Sequence, residues 1–416
     1  MKNWRSSLFA LAGVAIVAVG ATVTVVTPPS SGSVEYVRTD EVAATAAASV
    51  KPVVSHISTP TAVKAIYMTQ CVVGTPSFRD SLVEFIEDSS ELNSVLIDIK
   101  DFSGGIAFPS DNPLLKDFRS TKCGAADMKA FVQTLHDKGI YVIGRITVFQ
   151  DPLYAKTHPE LAVQKTGGGV WHDNKGLAFI DVSAKTFWDY IVELSKVSYE
   201  EIGFDELNFD YIRFPSDGPM AEAVYSHGDG KSKAAALEQF FQYLHEQLEP
   251  LRSTSRGQIG VATSADLFGY ITVHQDDLGI GQVLERALPY FDFIDPMVYP
   301  SHYNKGFAGL LDVNSDPYKV VYLSMKTAVE RTISTTTPNY FFGAVPIAST
   351  SPQLYEKPSY DKDTMRPWLQ AFDYPVPYTP EMVQAQIKAN EDAGLDSYLM
   401  WDASNKYRSL REVLAE

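Results

Sequence analysis

The chain has few cysteines and no signature of the commoner catalytic metal or nucleotide sites. Of its 416 residues only two are Cys, Cys71 and Cys123. No Cys-x-x-Cys, His-x-His or His-Glu-x-x-His run occurs, so a zinc site has no local signature. No Gly-x-x-x-x-Gly-Lys-Ser/Thr loop is present, since Gly230-Lys231-Ser232 has Tyr225 where the first Gly would stand, and no Gly-x-Ser-x-Gly elbow occurs. Positive charge is also short: 35 Lys and Arg stand against 51 Asp and Glu, a formal net charge of -16. That balance repels phosphate backbones, so no nucleic-acid partner is expected, and nothing calls for a cofactor or a metal.

Long apolar runs are missing except at the N-terminus. Lys2 and Arg5 precede an uncharged stretch from Leu8 to Val26, the pattern of an export segment. Residues 1–26 are therefore a signal peptide, cut near Ala18-Val19-Gly20, or an uncleaved membrane anchor. Either way the remainder is expected outside the cytoplasm, secreted or tethered to the membrane. Residues 27–59, rich in Pro, Ser, Ala, Thr and Val, read as a disordered tether, and 60–416 as the folded domain. In an exported protein Cys71 and Cys123 either form a disulfide or remain as two buried thiols.

From Val63 onward, short β-branched and apolar runs alternate with segments of helical period. Candidate strands are Val63 to Met68, Ser94 to Lys100, Tyr141 to Thr147, Asp205 to Tyr211, Gln258 to Thr263, Phe291 to Tyr299, Arg366 to Phe372 and Ser397 to Trp401. Gly139, Gly203 and Gly394 each read as a helix end feeding a strand. Leu237, Phe240, Phe241, Leu244, Leu248 and Leu251 mark one buried helical face, and Thr379-Pro380 marks a helix start. Eight such units predict an α/β fold, a (β/α)8 TIM barrel, with an insertion before strand seven from Thr332 to Met365 that forms a lid or accessory hairpin over the mouth.

Strand alternation then picks out inward side chains. Asp98 and Lys100 are expected inside on strand two, Arg145 on three, Asn208 and Asp210 on four, Asp295 and Tyr299 on six and Gln370 on seven, with Ser264 and Asp266 just past strand five. A polar ring at the C-terminal strand ends of this fold reads as an active site.

Asp205-Glu206-Leu207-Asn208-Phe209-Asp210-Tyr211-Ile212-Arg213-Phe214-Pro215 resembles the hallmark of a glycosyl hydrolase family of little-characterised bacterial TIM-barrel domains, distantly similar to the α-amylase superfamily. Ile97-Asp98-Ile99-Lys100-Asp101, Ser264-Ala265-Asp266-Leu267-Phe268-Gly269, Asp295 to Tyr303, Arg366 to Gln370 and Trp401 to Asn405 agree with it in order. The resemblance implies hydrolysis of a glycosidic bond, with a carbohydrate as partner. It assigns Asp210 as nucleophile and Asp266 as general acid. The α-amylase superfamily carries Glu at the second place, so Asp266 departs from that pattern.

Two carboxyl groups, one ionised and one protonated, are what such hydrolysis needs. Asp98, Lys100, Arg145, Asn208, Arg213, Asp295 and Gln370 are candidates to tune that pair or bind sugar hydroxyls. Tyr299, Trp368 and Trp401 are candidate stacking walls, and His302 a rim residue. Two other readings stay open: a barrel that binds envelope polysaccharide without cutting it, and a metal-dependent barrel hydrolase.

Overall fold

The computed structural model of the protein describes residues 54–252 and 259–415. Eight parallel strands close into a barrel: β1 (Lys64–Met68), β2 (Ser94–Lys100), β3 (Tyr141–Thr147), β4 (Glu206–Asp210), β5 (Ala262–Phe268), β6 (Phe293–Met297), β7 (Trp368–Gln370) and β8 (Tyr398–Trp401). Each strand pairs with its sequence neighbours, and β8 closes on β1 through Lys64 opposite Tyr398. Helices α1 (Pro76–Asp88), α2 (Met128–Asp137), α3 (Lys185–Val197), α4 (Lys233–Arg252), α5 (Leu284–Ala287), α6 (Pro317–Ile333), α7 (Pro380–Asp392) and α8 (Arg408–Val413) follow the strands in turn. The fold is the expected TIM barrel, in which closure leaves neither edge of the parallel sheet unpaired.

Local signals set many boundaries. Gly139, Gly203 and Gly394 sit at φ 75°, 103° and 91°, the left-handed region that ends a helix. The Thr379 side chain accepts a bond from the Met382 backbone and starts α7. Leu237, Phe240, Phe241, Leu244 and Leu248 of α4 are buried against the strands. Cys71, just after β1, is disulfide-bonded to Cys123 in the loop after β2, joining two neighbouring strand-end loops.

Three expectations change. Strand five does not run from Gln258 to Thr263 but from Ala262 to Phe268, which puts Ser264 and Asp266 on the strand rather than beyond it. Ala265 and Leu267 pack outward, and Ser264 and Asp266, which alternate with them, are inward and partnered, so the polarity that looked like a loop is barrel interior. The insertion forms a small antiparallel sheet of residues 336–337, 345–346 and 355–356. Its bonds run from Asn339 to Glu285 and from the Phe342 backbone to Glu238, so it is docked on the helix layer and not over the mouth.

The third change is at the N-terminus. The apolar run 8–26 and residues 27–53 lie outside the described residues. Residues 54–59, expected as the end of a tether, pack on the barrel. The Ile57 amide donates to Asp205 (2.7 Å), Thr59 meets the Tyr141 hydroxyl (3.0 Å), and the His56 ring stacks on Tyr199 at 4.0 Å. Asp205 also accepts from the Val142 amide; burial pushes its carboxyl up, but His136, His56 and the Ile57 amide hold it below the usual range.

Inside the barrel, Val63, Ala65, Tyr67, Leu96, Tyr141, Ile143 and Leu399 make one apolar side. The other side is ionic: Arg366 bonds both Glu206 oxygens and both Asp295 oxygens, all fully buried. Charges that deep persist only when every partner is present, so this cluster fixes β4, β6 and the entry to β7 relative to one another.

Candidate active site

A cavity of about 730 Å³ opens at the C-terminal strand ends, lined among others by Arg145, Asp210, Arg213, Asp266, Tyr299, His302, Trp368 and Trp401. At its floor, Arg145 of β3 is the hub. Its guanidinium bonds Asp98 of β2 (2.6 Å) and Asp210 of β4, and its Nε stands 3.7 Å from Asp266 of β5. Burial works against the Arg145 charge, but Asp210, Asp98 and Asp266 more than offset it and raise its pKa well above normal.

The register explains why these groups meet. Asp98 pairs with Arg145, Arg145 with Asn208 and Asn208 with Ser264, so the four stand side by side on neighbouring strands of the inner face. Phe209 pairs with Ala265, and Asp210 and Asp266 are the next residues on those two strands. Asp210 ends β4 because Tyr211 takes φ 51°, turning the chain so that the Tyr211 amide bonds Asp210 and its ring lines the cavity.

Asp266 is in a different environment. It accepts bonds from Asn208 (2.8 Å) and the Trp368 indole (2.7 Å). Burial, then the Asp210 and Asp295 charges, push its carboxyl well above the ordinary range, against the opposing pull of Arg145. The floor thus presents an ion-paired carboxylate beside a carboxyl whose surroundings favour its protonated form.

Trp401 stacks on Tyr67 at 4.0 Å, and Trp368 meets Trp401 edge-on at 5.5 Å, forming an aromatic wall. Opposite, the Arg213 guanidinium lies 4.8 Å from the ring centres of both Tyr211 and Phe268. Gly269 lines the cavity where a Cβ would come within 2.4 Å of the Met297 carbonyl, so β5 can turn there only as glycine.

Several predicted site residues lie off the cavity wall. Lys100 is turned away from the interior. A register shift between Asp98 and Lys100 pairs it with Ile146, and its ammonium bonds Asp151 at 2.8 Å near the Phe187 ring of α3. Asp295 is occupied by Arg366 and Asn208, and burial raises its carboxyl to about 6. Asp98 is likewise raised to about 6 by burial and is spent on Tyr67 and Arg145. Asn208 braces Asp266, and Gln370 accepts from Ser301 and donates to the Phe372 and Tyr374 carbonyls. These four support the wall from behind. Sequence reasoning missed Tyr211, Phe268, Tyr270 and Tyr303 as lining residues; running strand five on to its true end would have exposed Phe268.

Comparison with known proteins agrees with the barrel. The structure resembles the glycoside hydrolase domain of PgaB (BpsB) from Bordetella bronchiseptica, at 14% identity and TM-score 0.55 over 85% of this chain and 99% of that one. It also resembles alpha-L-fucosidase isoenzyme 2 from Paenibacillus thiaminolyticus, at 11% identity and TM-score 0.54 over 85% of this chain and 49% of that one. At such identities the likeness shows the fold. A hypothetical protein from Ruminiclostridium thermocellum ATCC 27405 is 31% identical over 52% of this chain and 98% of its own, with TM-score 0.41. No curated protein matches the chain. A family profile described as "Putative glycosyl hydrolase domain" matches residues 65–407, from β1 to the start of α8, and the chain belongs to that glycosyl hydrolase family.

Proposed function

We propose that the protein is an exported glycoside hydrolase that cleaves a cell-envelope or extracellular polysaccharide with Asp210 and Asp266. One observation carries the mechanism: on adjacent strands, at one cavity floor, Arg145 pairs Asp210 while burial and neighbouring carboxylates raise Asp266. Asp266 gives its proton to the leaving oxygen as the bond breaks. Asp210 attacks the anomeric carbon, and water then releases the sugar with Asp266 as base. Arg145 pairs with the Asp210 carboxylate and holds it in place, and the Trp368 indole orients Asp266.

Export is supported by the apolar segment 8–26 behind Lys2 and Arg5 and by the Cys71–Cys123 bond, a pairing suited to an oxidising compartment. The segment serves as a cleaved signal or as the membrane tether of the domain. Incubating the protein with a panel of envelope and extracellular polysaccharides and reading new reducing ends tests the activity. Release by wild type but not by Asp210→Asn supports it; no release from any polymer, with binding retained, favours a barrel that binds without cutting. Protease accessibility on intact cells tests the location.

A further inference from the structure

A second cavity, of about 740 Å³, adjoins the first. The two share His302 and Trp401, so those side chains form a ridge with a hollow on each side. The second hollow is built by the loops after β7 and β8 together with α8, and is lined by Phe372, Asp373, Ala403, Lys406, Arg408 and Glu412 among others.

We propose that the two hollows are one substrate groove, in which the units beyond the cleaved bond cross the Trp401–His302 ridge into the second hollow, so the enzyme cuts inside a polysaccharide chain. This rests on the glycoside hydrolase reading. Three observations support it. The floor carboxylates line only the first hollow, which makes the second a binding site without chemistry. Apolar ring faces continue across the ridge: Trp401 stands on Tyr67, and Phe372 lies 5.6 Å from Tyr299 and 6.0 Å from His302, a track for successive sugar rings. The far wall carries charges of both signs, Lys406 and Arg408 beside Asp373 and Glu412. Such a wall offers donors and acceptors together, which suits the hydroxyls of a neutral sugar rather than a group of one charge.

An exo-acting site would be closed where the second hollow opens. Room for the chain on both sides of the reacting bond is what internal cleavage requires, and binding energy gathered remotely can be used at the bond.

Ala403→Trp tests the idea. Ala403 is exposed, lines only the second hollow and belongs to no part of the catalytic floor. Binding of cello-, malto- and chito-oligosaccharides, from disaccharide to hexasaccharide, is measured by calorimetry with the full chain carrying Asp210→Asn. Affinity for at least one series should rise with length, and Ala403→Trp should remove that rise, weakening the hexasaccharide by about tenfold while leaving the disaccharide within about twofold. On a polymer that the wild type hydrolyses, viscosity should fall early and Ala403→Trp should slow that fall. Affinity independent of length in every series, or unchanged by Ala403→Trp, overturns the groove, as does release of only terminal units from the polymer. Length-dependent binding without hydrolysis leaves the groove standing and removes the hydrolase reading instead.

Discussion

Asp210 and Asp266 stand side by side, each one residue beyond the paired Phe209 and Ala265 of neighbouring strands. Arg145 reaches both, yet it bonds Asp210 directly and only approaches Asp266 at 3.7 Å. One carboxylate is thus ion-paired, while burial and then the Asp210 and Asp295 charges raise the other, the division of labour that acid-assisted displacement requires.

Replacing Asp210 tests the ion-paired half. Asp210→Asn keeps the shape and leaves Arg145 its bond to Asp98, so the fold should persist with a melting temperature close to wild type. Hydrolysis should fall by about a thousandfold or more. Near-normal kcat in the variant would remove Asp210 from the chemistry.

The protonated half sets the pH profile. Asp266 works as acid only below its pKa, so activity should fall as pH rises through that value. Burial and the Asp210 and Asp295 charges place this alkaline limb above the ordinary carboxyl range. Asp295→Asn removes one of those charges and should move the limb of kcat/KM to lower pH. A limb that stays in place assigns it to another group.

Stereochemistry follows from strand spacing. Adjacent strands are about 4.8 Å apart, and neighbouring inward carboxyls fit the roughly 5 to 5.5 Å of retaining enzymes better than the roughly 6.5 to 9.5 Å of inverting ones. NMR of the first-formed product should therefore show the anomeric configuration of the substrate. The inverted anomer would make Asp210 a general base.

Lys100 is expected to matter for stability and not for substrate. Its ammonium and Asp151 are fully buried together, and Lys100→Met leaves the Asp151 charge alone, at a cost of about 3–5 kcal/mol. Urea unfolding measures this, and Lys100→Met with Asp151→Leu should recover part of it. A changed KM with unchanged stability would return Lys100 to the cleft.

The start of the domain is testable too. A chain beginning at residue 60 loses the Ile57 bond to Asp205, the Thr59 contact with Tyr141 and the His56 stack on Tyr199. It should be less stable than one beginning at residue 54 by about 1–3 kcal/mol in urea unfolding. Equal stability would make residues 54–59 dispensable.

The sequence by itself determined the barrel and much of its floor. Period-two alternation in Ser94 to Lys100 and Tyr141 to Thr147, glycine helix ends and a Thr-Pro helix start are local signals that survive folding. Alternation also put Asp98, Arg145, Asn208 and Asp210 on the inner face, because a strand has only two faces. What the tertiary structure decided is which inward groups reach the cavity. A one-residue shift after Asp98 takes Lys100 to the helix layer, and the left-handed turn at Tyr211 brings an outward-looking ring into the cleft. Ser264 and Asp266 belong to β5 only because Glu206, Asn208 and Trp368, distant in sequence, supply the partners that let polar side chains stay buried. No local window contains those partners.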